Sequence, residues 1–532
     1  MTRLEGIIVD VHGRRLYPGV VIIRNGRIES VTEDASVVAT HWIMPGYVDA
    51  HVHVESSMLV PSEFARLAVV HGTVATVSDP HEIGNVCGVK GVHYMLDNAS
   101  TVPFTFAFGA PSCVPATTFE TAGAEITADD IAALFADERV RYLSEMMNWP
   151  GVLHDDPIVV QKLAVARAHG RVIDGHAPGL RGNDARRYAE HGISTDHECF
   201  TLDEALDKVA VGMKILIREG SAARNFDALH TLLRLHPDMV MLCSDDMHPD
   251  ALAVGHINLL VRRAMDLGYD LFDVLRAACV HPVEHYGLPV GLLRAGDPAD
   301  CIITAPNDPS RVLATFVRGE CVAMNGASHI SHRRAPVINK FSCDPITVDD
   351  VHVDVDGRLL RVIEAYDGQL VTGERTALAG DADVLKKVVV NRYHSAPPAV
   401  AFVHGFGLQR GAIASSVAHD SHNIVAVGVT DADIVAAVNA VIAAEGGISV
   451  AADGKVDVLP LPVAGLMSDR DGYDVARKYA DLDQRAKELG SPLRAPFMTL
   501  SFMALLVIPD LKLSDKGLFD GRRFTFTPMF VS

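Results

Sequence analysis

The residues of clearest chemical interest lie in the segment Asp49-Ala-His51-Val-His53. If this segment is a β-strand, its side chains alternate between two faces, so Asp49, His51 and His53 share one face. Two imidazoles with this spacing at the carboxyl end of a strand can bind one metal ion together, and Asp49, one layer deeper, can orient them. Ordinary histidines would give the same pattern, so the prediction of a metal site depends on further ligands.

Four more potential ligands follow later strand-like runs of the sequence. If these runs are parallel strands of one barrel, their carboxyl ends meet at the face where such barrels collect catalytic groups. The complete predicted set is His51, His53, Glu145, His176, His197 and Asp245.

Six ligands exceed the needs of one tetrahedral ion with an open position, and they suit two ions bridged by a carboxylate and a hydroxide. We predict that the first histidine pair binds one ion, that the second pair binds the other, and that Glu145 lies between them. Asp245 is predicted to bind the first ion and to accept the proton of the attacking water. This mixture of ligands fits manganese, iron or zinc, and the sequence does not choose among them.

The elements that position these ligands follow from the hydrophobic pattern. Short strands with turns fill the first part of the chain, where Asn25-Gly26 is a hairpin signal. Eight strand-like runs then alternate with amphipathic stretches over about 240 residues, which predicts a (β/α)₈ barrel. An open doubly wound sheet is the alternative, but no G-x-G-x-x-G follows the first run. The runs centre on residues 47–53, 74–78, 104–108, 140–144, 172–175, 193–195, 214–217 and 240–243.

Strand-like segments return after the barrel, which predicts one small β domain built from both of its flanks. A further α+β domain follows, with strands near Val351–Val355 and Ile424–Val429 and a helix near Asp431–Ala444. Its apolar stretch Phe497–Ile508 is too short to span a bilayer, which takes about 20 residues, and is predicted to be a buried strand or helix. The predicted domains are residues 1–45 with 290–340, residues 46–289, and residues 341–532.

Composition limits the partners of this chain. Its 532 residues are 48% hydrophobic and 21% charged, as in globular proteins, and its formal net charge is −20. So acidic a surface repels phosphate backbones and anionic lipid, which argues against nucleic acid and membrane partners. The eight cysteines form no C-x-x-C pair, and no signal segment is recognisable, so we expect a reduced, cytoplasmic protein. We also expect a homo-oligomer, a dimer.

Several motifs are recognisable as a set. Pro45-Gly-Tyr-Val-Asp-Ala-His-Val-His resembles the entry motif of the amidohydrolase superfamily, whose members share the barrel and the flanking β domain. More narrowly, Ser78-Asp-Pro-His-Glu-Ile, Asp174-Gly-His-Ala-Pro-Gly, Leu242-Cys-Ser-Asp-Asp and, in the last domain, Val389-Val-Asn-Arg-Tyr-His resemble the adenine deaminase family. The resemblance implies hydrolysis of adenine to hypoxanthine and ammonia in purine salvage, at a dinuclear centre that commonly contains manganese or iron.

This reaction needs an acid as well as an activated water, because C6 of adenine is a weak electrophile until N1 is protonated. His81 and Glu82 are our candidates for the acid, with Asp79 orienting them. Alternatively, this segment is only a loop turn stabilised by Pro80. Four residues after the seventh strand are predicted either to line the purine pocket or to be structural: Arg218, Glu219, Ser221 and Asn225.

In the last domain, His404, His419 and His422 are conspicuous. They either reach the active site across the domain interface or belong to loop structure.

Two other functions compete with adenine deamination. Cyclic amidohydrolases of the dihydroorotase or hydantoinase type share the fold but bridge their metals with a carboxylated lysine on the fourth strand. Here that strand has no lysine, and Glu145 takes the place. A non-catalytic binding protein is the second competitor, but degenerate enzymes usually lose ligands first, and all six are present.

Overall fold

The computed structural model describes residues 1–355 and 357–531. Four strands open the chain, and the turn between the second and third is Asn25-Gly26. Both turn residues have positive φ angles, of 50° and 75°, as a tight two-residue hairpin requires. The strands are β1 (Thr2–Asp10), β2 (Arg15–Arg24), β3 (Arg27–Glu33) and β4 (Trp42–Pro45).

The next eight strands are those of the predicted barrel, and each overlaps the run predicted from the sequence. They are β5 (Tyr47–Val52), β6 (Thr73–Ser78), β7 (Thr105–Ala110), β8 (Val140–Met146), β9 (Val172–Gly175), β10 (Thr195–Asp196), β11 (Lys214–Arg218) and β12 (Val240–Cys243). β5 to β9 form one parallel sheet in chain order, and β10 to β12 form another. Parallel bridges join Ile173 to Ile193 and Val52 to Asp245, so β5 lies beside the end of β12.

Helices separate the barrel strands. Many of them are short. Their bounds are Pro61–Ala68, His81–Cys87, Val89–Ala99, Ala128–Leu134, Trp149–Leu153, Pro157–Ala168, Gly182–Glu190, Leu202–Val209, Phe226–Leu229, Leu232–Leu235, Pro249–Val254, Ile257–Asp266, Leu271–Leu275 and His281–Tyr286.

Four strands after the barrel return to the N-terminal sheet. They are β13 (Cys301–Ala305), β14 (Asp308–Val317), β15 (Glu320–Met324) and β16 (Ala327–Ser328). β13 pairs antiparallel with β4, so the two flanks of the barrel share one eight-stranded sheet.

The rest of the chain is a second α+β unit. Eight of its strands form one sheet: β17 (Leu360–Ala365), β18 (Thr372–Ala377), β19 (Leu385–Val390), β20 (Ala399–His404), β21 (Ala412–Ser415), β22 (Ile424–Gly428), β23 (Gly447–Ala452) and β24 (Lys455–Pro460). A small sheet follows, of β25 (Leu511–Ser514), β26 (Gly517–Asp520) and β27 (Thr525–Phe526). The helices are Val348–Val351, Asp431–Ala443, Gly472–Glu488 and Pro496–Phe502.

One strand predicted in this unit is wrong. Val351–Val355 is not a strand, because a short helix ends at Val351 and an irregular segment follows it. Thr347 and Asp350 cap that helix reciprocally, and this local capping outweighs the apolar alternation.

The barrel and the last unit share one hydrophobic core. Val48 and Leu216 of the barrel belong to the same buried cluster as Leu466 and Phe497. The apolar stretch that begins at Phe497 is therefore interior, and its first part is the buried helix Pro496–Phe502. Within residues 1–355 and 357–531, no helix has the length and apolar character needed to cross a bilayer.

Candidate active site

The first pair of predicted ligands lies at the end of β5, where both imidazoles are buried. The Nε2 atoms of His51 and His53 are 3.2 Å apart. Asp49 lies deeper and accepts hydrogen bonds from the backbone of His51 and from Ser244, while its Oδ2 lies 2.8 Å from Nε2 of His256. Asp49 therefore holds the backbone at the end of the strand in place.

Asp245 follows the last barrel strand, β12, and lies next to this pair of histidines. Its backbone N–H donates to the carbonyl of His51, and its own carbonyl accepts from the N–H of His53. Its Oδ1 lies 3.5 Å from Nε2 of His51 and 3.3 Å from Nε2 of His53. Nitrogen and oxygen ligands about 2.0–2.1 Å from one tetrahedral ion are about 3.3 Å from each other. The three donor atoms therefore fit a shared ion.

Glu145, at the end of β8, lies between the two histidine pairs. Its Oε2 is 2.7 Å from Nδ1 of His176 and 3.0 Å from Nε2 of His197, and its Oε1 is 3.4 Å from Nε2 of His53. Among the described residues, the buried Nε2 of His176 has no hydrogen-bond partner. A carboxylate that faces both pairs, together with buried imidazole nitrogens, forms a group of donors that could hold a metal ion.

The charges of this cluster favour cation binding. Burial alone would raise the pKa of Glu145, but the charges and hydrogen bonds of His176 and His197 hold it well below its usual value. Burial alone would lower the pKa of His53, but its hydrogen bond to Asp245 and nearby carboxylates raise it well above its usual value. The carboxylates thus favour the protonated form of His53, whereas burial and His51 lower the pKa of His197. A divalent ion would displace the proton of His53.

Arg218 at the end of β11 supports Asp245 from below. Its buried Nη1 contacts Glu198 and lies 2.5 Å from Oδ2 of Asp245. Burial would raise the pKa of Asp245, but the guanidinium outweighs it and holds the pKa well below its usual range. The sequence did not identify Glu198 as part of the site, although it follows the ligand His197 directly.

The four residues proposed to line the pocket have other partners. Glu219 pairs with Arg263 at 2.9 Å, and Ser221 accepts a hydrogen bond from the backbone of His248. Asn225 bonds to the backbone of Arg218 and of His197, as a structural residue would. In the described part of the chain, the cavity lining includes none of the four residues, so of the two alternatives left open for them these contacts favour the structural one. The residues concerned are Arg218, Glu219, Ser221 and Asn225.

The predicted acid group lies beside the predicted ligands, with Nδ1 of His81 3.6 Å from Oε1 of Glu145. Nδ1 of His81 is 3.0 Å from Oδ2 of Asp79, and both follow β6 directly. Each carboxylate oxygen of Glu82 contacts a histidine of the C-terminal unit, Oε1 with His419 and Oε2 with His422. Of the two alternatives left open for these histidines, the structure thus brings them to the site. His404 instead pairs with Glu364 at 2.8 Å.

The cavity therefore has walls from two units of the chain. It measures about 300 Å³, including the part open to solvent. The predicted ligands lie at the floor of this cavity. The C-terminal unit contributes the side chains on the far wall, which the sequence did not identify apart from His419: Leu370, His419, Asp420, Phe502 and Leu505.

Asp246 also lines the cavity, which corrects a sequence-based expectation. Strand alternation predicts that Asp246 points away from the barrel axis if the strand continues past Asp245. The strand instead ends at Cys243, and Asp245 has a left-handed φ of 57°. This turn directs Asp246 into the cavity, where it accepts a hydrogen bond from Ser56.

Comparisons with known proteins agree with this geometry. Residues 42–324 match the amidohydrolase family, and residues 363–525 match the adenine deaminase C-terminal domain. The chain is 57% identical to a protein of Salinibacter ruber named adenine deaminase, over 99% of both chains. A protein of the same name from Sulfurovum sp. is 55% identical over 97% of this chain and 98% of its own length. Another, from Methanosarcina barkeri, is 52% identical over 100% of both chains.

The two family models together cover the barrel and the C-terminal unit, and the similarity to these relatives extends over nearly the whole chain. The resemblance found in the sequence motifs is thereby confirmed: this chain belongs to the adenine deaminase family of the amidohydrolase superfamily.

Proposed function

We propose that this chain hydrolyses adenine at C6 to hypoxanthine and ammonia. The observation that carries the proposal is the position of Glu145 between two histidine pairs, at the floor of a cavity that the C-terminal unit closes. A carboxylate in this place, where cyclic amidohydrolases have a modified lysine, argues against that alternative. The names of the relatives support adenine as the substrate.

Two divalent ions are part of the proposal, with manganese or iron favoured over zinc by family resemblance. The first would be held by His51, His53 and Asp245, and the second by His176 and His197, with Glu145 shared. Bound divalent ions supply Lewis acidity that makes water nucleophilic near neutral pH.

The side chains of the site have separate tasks in this reaction. Asp245 accepts a proton from the attacking water and passes it to the departing amine. Arg218 keeps that carboxylate ionised and fixes its orientation through Oδ2. The Asp79, His81 and Glu82 group faces the side of the cavity where N1 would be protonated. The buried walls exclude bulk water, which strengthens each of these interactions.

The architecture proposed with this function is a closed (β/α)₈ barrel spanning residues 46–289. The parallel bridges at Ile173–Ile193 and Val52–Asp245 support closure, because they connect the two parallel sheets at both of their edges. The flanking β domain would comprise residues 1–45 and 290–340, and the C-terminal domain residues 341–532. A dimer and a cytoplasmic location remain predictions.

The test is ammonia release from adenine and adenosine by metal-loaded protein, with the ring opening of dihydroorotate, which releases no ammonia, followed separately. We expect turnover of adenine and none of adenosine, because the cavity is closed by the C-terminal unit and the family acts on the free base. A kcat/KM on adenosine comparable to that on adenine would contradict the substrate assignment. Hydrolysis of dihydroorotate without deamination of adenine would favour the cyclic amidohydrolase alternative.

A further inference from the structure

Two histidines of the C-terminal unit contact the barrel. Their geometry bears on one step of the proposed reaction, the protonation of N1. His419 and His422 lie in the loop between β21 and β22, and both are buried. They meet Glu82 at the start of the barrel helix His81–Cys87.

The hydrogen bonds of His422 determine which of its nitrogens carries the proton. Its Nδ1 accepts a hydrogen bond from the backbone N–H of Ala418 at 3.1 Å. In the neutral ring the proton is therefore on Nε2, which lies 2.5 Å from Oε2 of Glu82 and donates to it. Glu82 is thus held as an ionised acceptor, and only its Oε1 remains for His419.

His419 is held by a contact at one ring nitrogen and by stacking of its ring, and its other nitrogen is free of hydrogen bonds to the described residues. Its Nδ1 contacts Oε1 of Glu82, so Nδ1–H donates to the carboxylate. Its ring stacks on Phe502, with centroids 4.7 Å apart and planes 15° apart. Its Nε2 is buried at the cavity, and within the part of the chain that the structure describes it has no hydrogen-bond partner. A buried, unpartnered ring nitrogen in a substrate cavity is a position for a substrate atom.

The surrounding charges favour the protonated form of this ring. Glu82, Asp246 and Asp420 face it, and Oδ1 of Asp246 lies 3.9 Å from Nε2. Burial lowers the pKa of the neighbouring His422 and lowers the pKa of His248 to about 3, so both of these rings favour the neutral form. Burial would lower the pKa of His419, but the carboxylates outweigh it and raise the pKa to about 9. At neutral pH, Nε2–H is therefore a donor.

We propose that His419 is the general acid that protonates N1 of the purine, and that Glu82 and His422 are positioning residues which orient it. This inference rests on the proposed adenine deaminase function. It transfers the role of acid from His81 and Glu82, the sequence-based candidates, to a residue of the C-terminal unit.

The proton transfers balance. As the water oxygen bonds to C6, the proton on Nε2 of His419 moves to N1, and one proton of water moves to Asp245. The C6–N bond then breaks, Asp245 returns its proton to the amine, and ammonia leaves. The remaining hydroxyl proton is released as the carbonyl of hypoxanthine forms, and it restores the imidazolium of His419. N1 keeps its hydrogen, as the lactam form of hypoxanthine requires.

Two substitutions of His419 each replace one of its two ring nitrogens with an amide, and neither can act as an acid. His419→Asn keeps a donor near Nδ1 for Glu82 but removes Nε2, and His419→Gln places an amide near Nε2 that cannot act as an acid. We expect both variants to lower kcat on adenine by about 10²–10⁴-fold. Metal content and the affinity for hypoxanthine should stay near the wild-type values. His404→Asn is the matched control, since it breaks the His404–Glu364 pair of the same unit outside the cavity and should leave kcat unchanged.

The pH dependence of kcat/KM distinguishes a general acid from a residue that only supports the structure. Because the protonated ring is the active form, kcat/KM of the wild type should fall as pH rises through about 9. The variants should lack this decline. Wild-type kcat/KM that stays flat well above pH 9 would overturn the assignment, and so would a His419→Asn enzyme with near-normal kcat.

If His419→Asn does not fold, His419→Gln and the wild-type pH profile test the assignment instead. If the wild type itself releases no ammonia from adenine, the proposed function fails together with this inference, whereas normal wild-type turnover with active variants overturns the inference alone.

Discussion

Glu145→Ala is expected to lose most of its bound metal and all measurable release of ammonia from adenine. The carboxylate is the only side chain in the predicted ligand set that faces both histidine pairs, with its oxygens 2.7–3.4 Å from ring nitrogens of His176, His197 and His53. Without it, four buried histidines and Asp245 are left to hold two dications, whose mutual repulsion is then offset by one carboxylate fewer. His51→Ala should likewise lose metal and activity together.

Elemental analysis of protein loaded with manganese or iron provides the measurement. The wild type should contain about two ions per chain, and Glu145→Ala should contain less than one. Glu190→Ala, at the exposed end of a barrel helix, is the matched control and should retain the wild-type content. A wild-type enzyme that is fully active with one ion would contradict the bridged centre, as would a Glu145→Ala protein that keeps both ions.

Asp245→Asn is expected to lower kcat by about 10²–10⁴-fold while adenine still binds. The substitution keeps the shape of the side chain but removes the basic oxygen that accepts the proton of water. It also removes one of the two negative partners of Arg218, whose guanidinium would still contact Glu198. The effect should therefore appear in kcat more than in KM, and metal content measured in the same samples should show whether ligand loss contributes.

Asp246→Asn serves as the comparison variant. The strand pattern predicts a mild effect, but Asp246 lies in the cavity 3.9 Å from Nε2 of His419. We therefore expect a loss of kcat that is clear yet smaller than that of Asp245→Asn, with unchanged metal content. A more severe loss in Asp246→Asn than in Asp245→Asn would reverse the roles assigned to the two carboxylates.

The sequence by itself determined the local parts of this protein. Alternation along a strand places His51 and His53 on one face, and the turn residues Asn25-Gly26 define a hairpin, because both patterns depend only on neighbouring residues. The order of strands and helices then brings Glu145, His176 and His197 to one edge, since parallel strands of a barrel end on the same side. Local capping was missed at Thr347, where a short helix replaces the expected strand.

Only the tertiary structure decided how the cavity is completed. Glu82 and His419 are 337 residues apart in the chain, and no periodic pattern connects a barrel loop with a loop of the C-terminal unit. The contact of Arg218 with Asp245 and the direction of Asp246 depend on a left-handed backbone turn after β12. A pattern of alternating hydrophobic residues does not predict such a turn. Contacts of this kind arise from the packing of whole units on a shared core. The clustering of the proposed metal ligands was therefore predictable from the sequence, whereas the side chains that enclose the cavity were not.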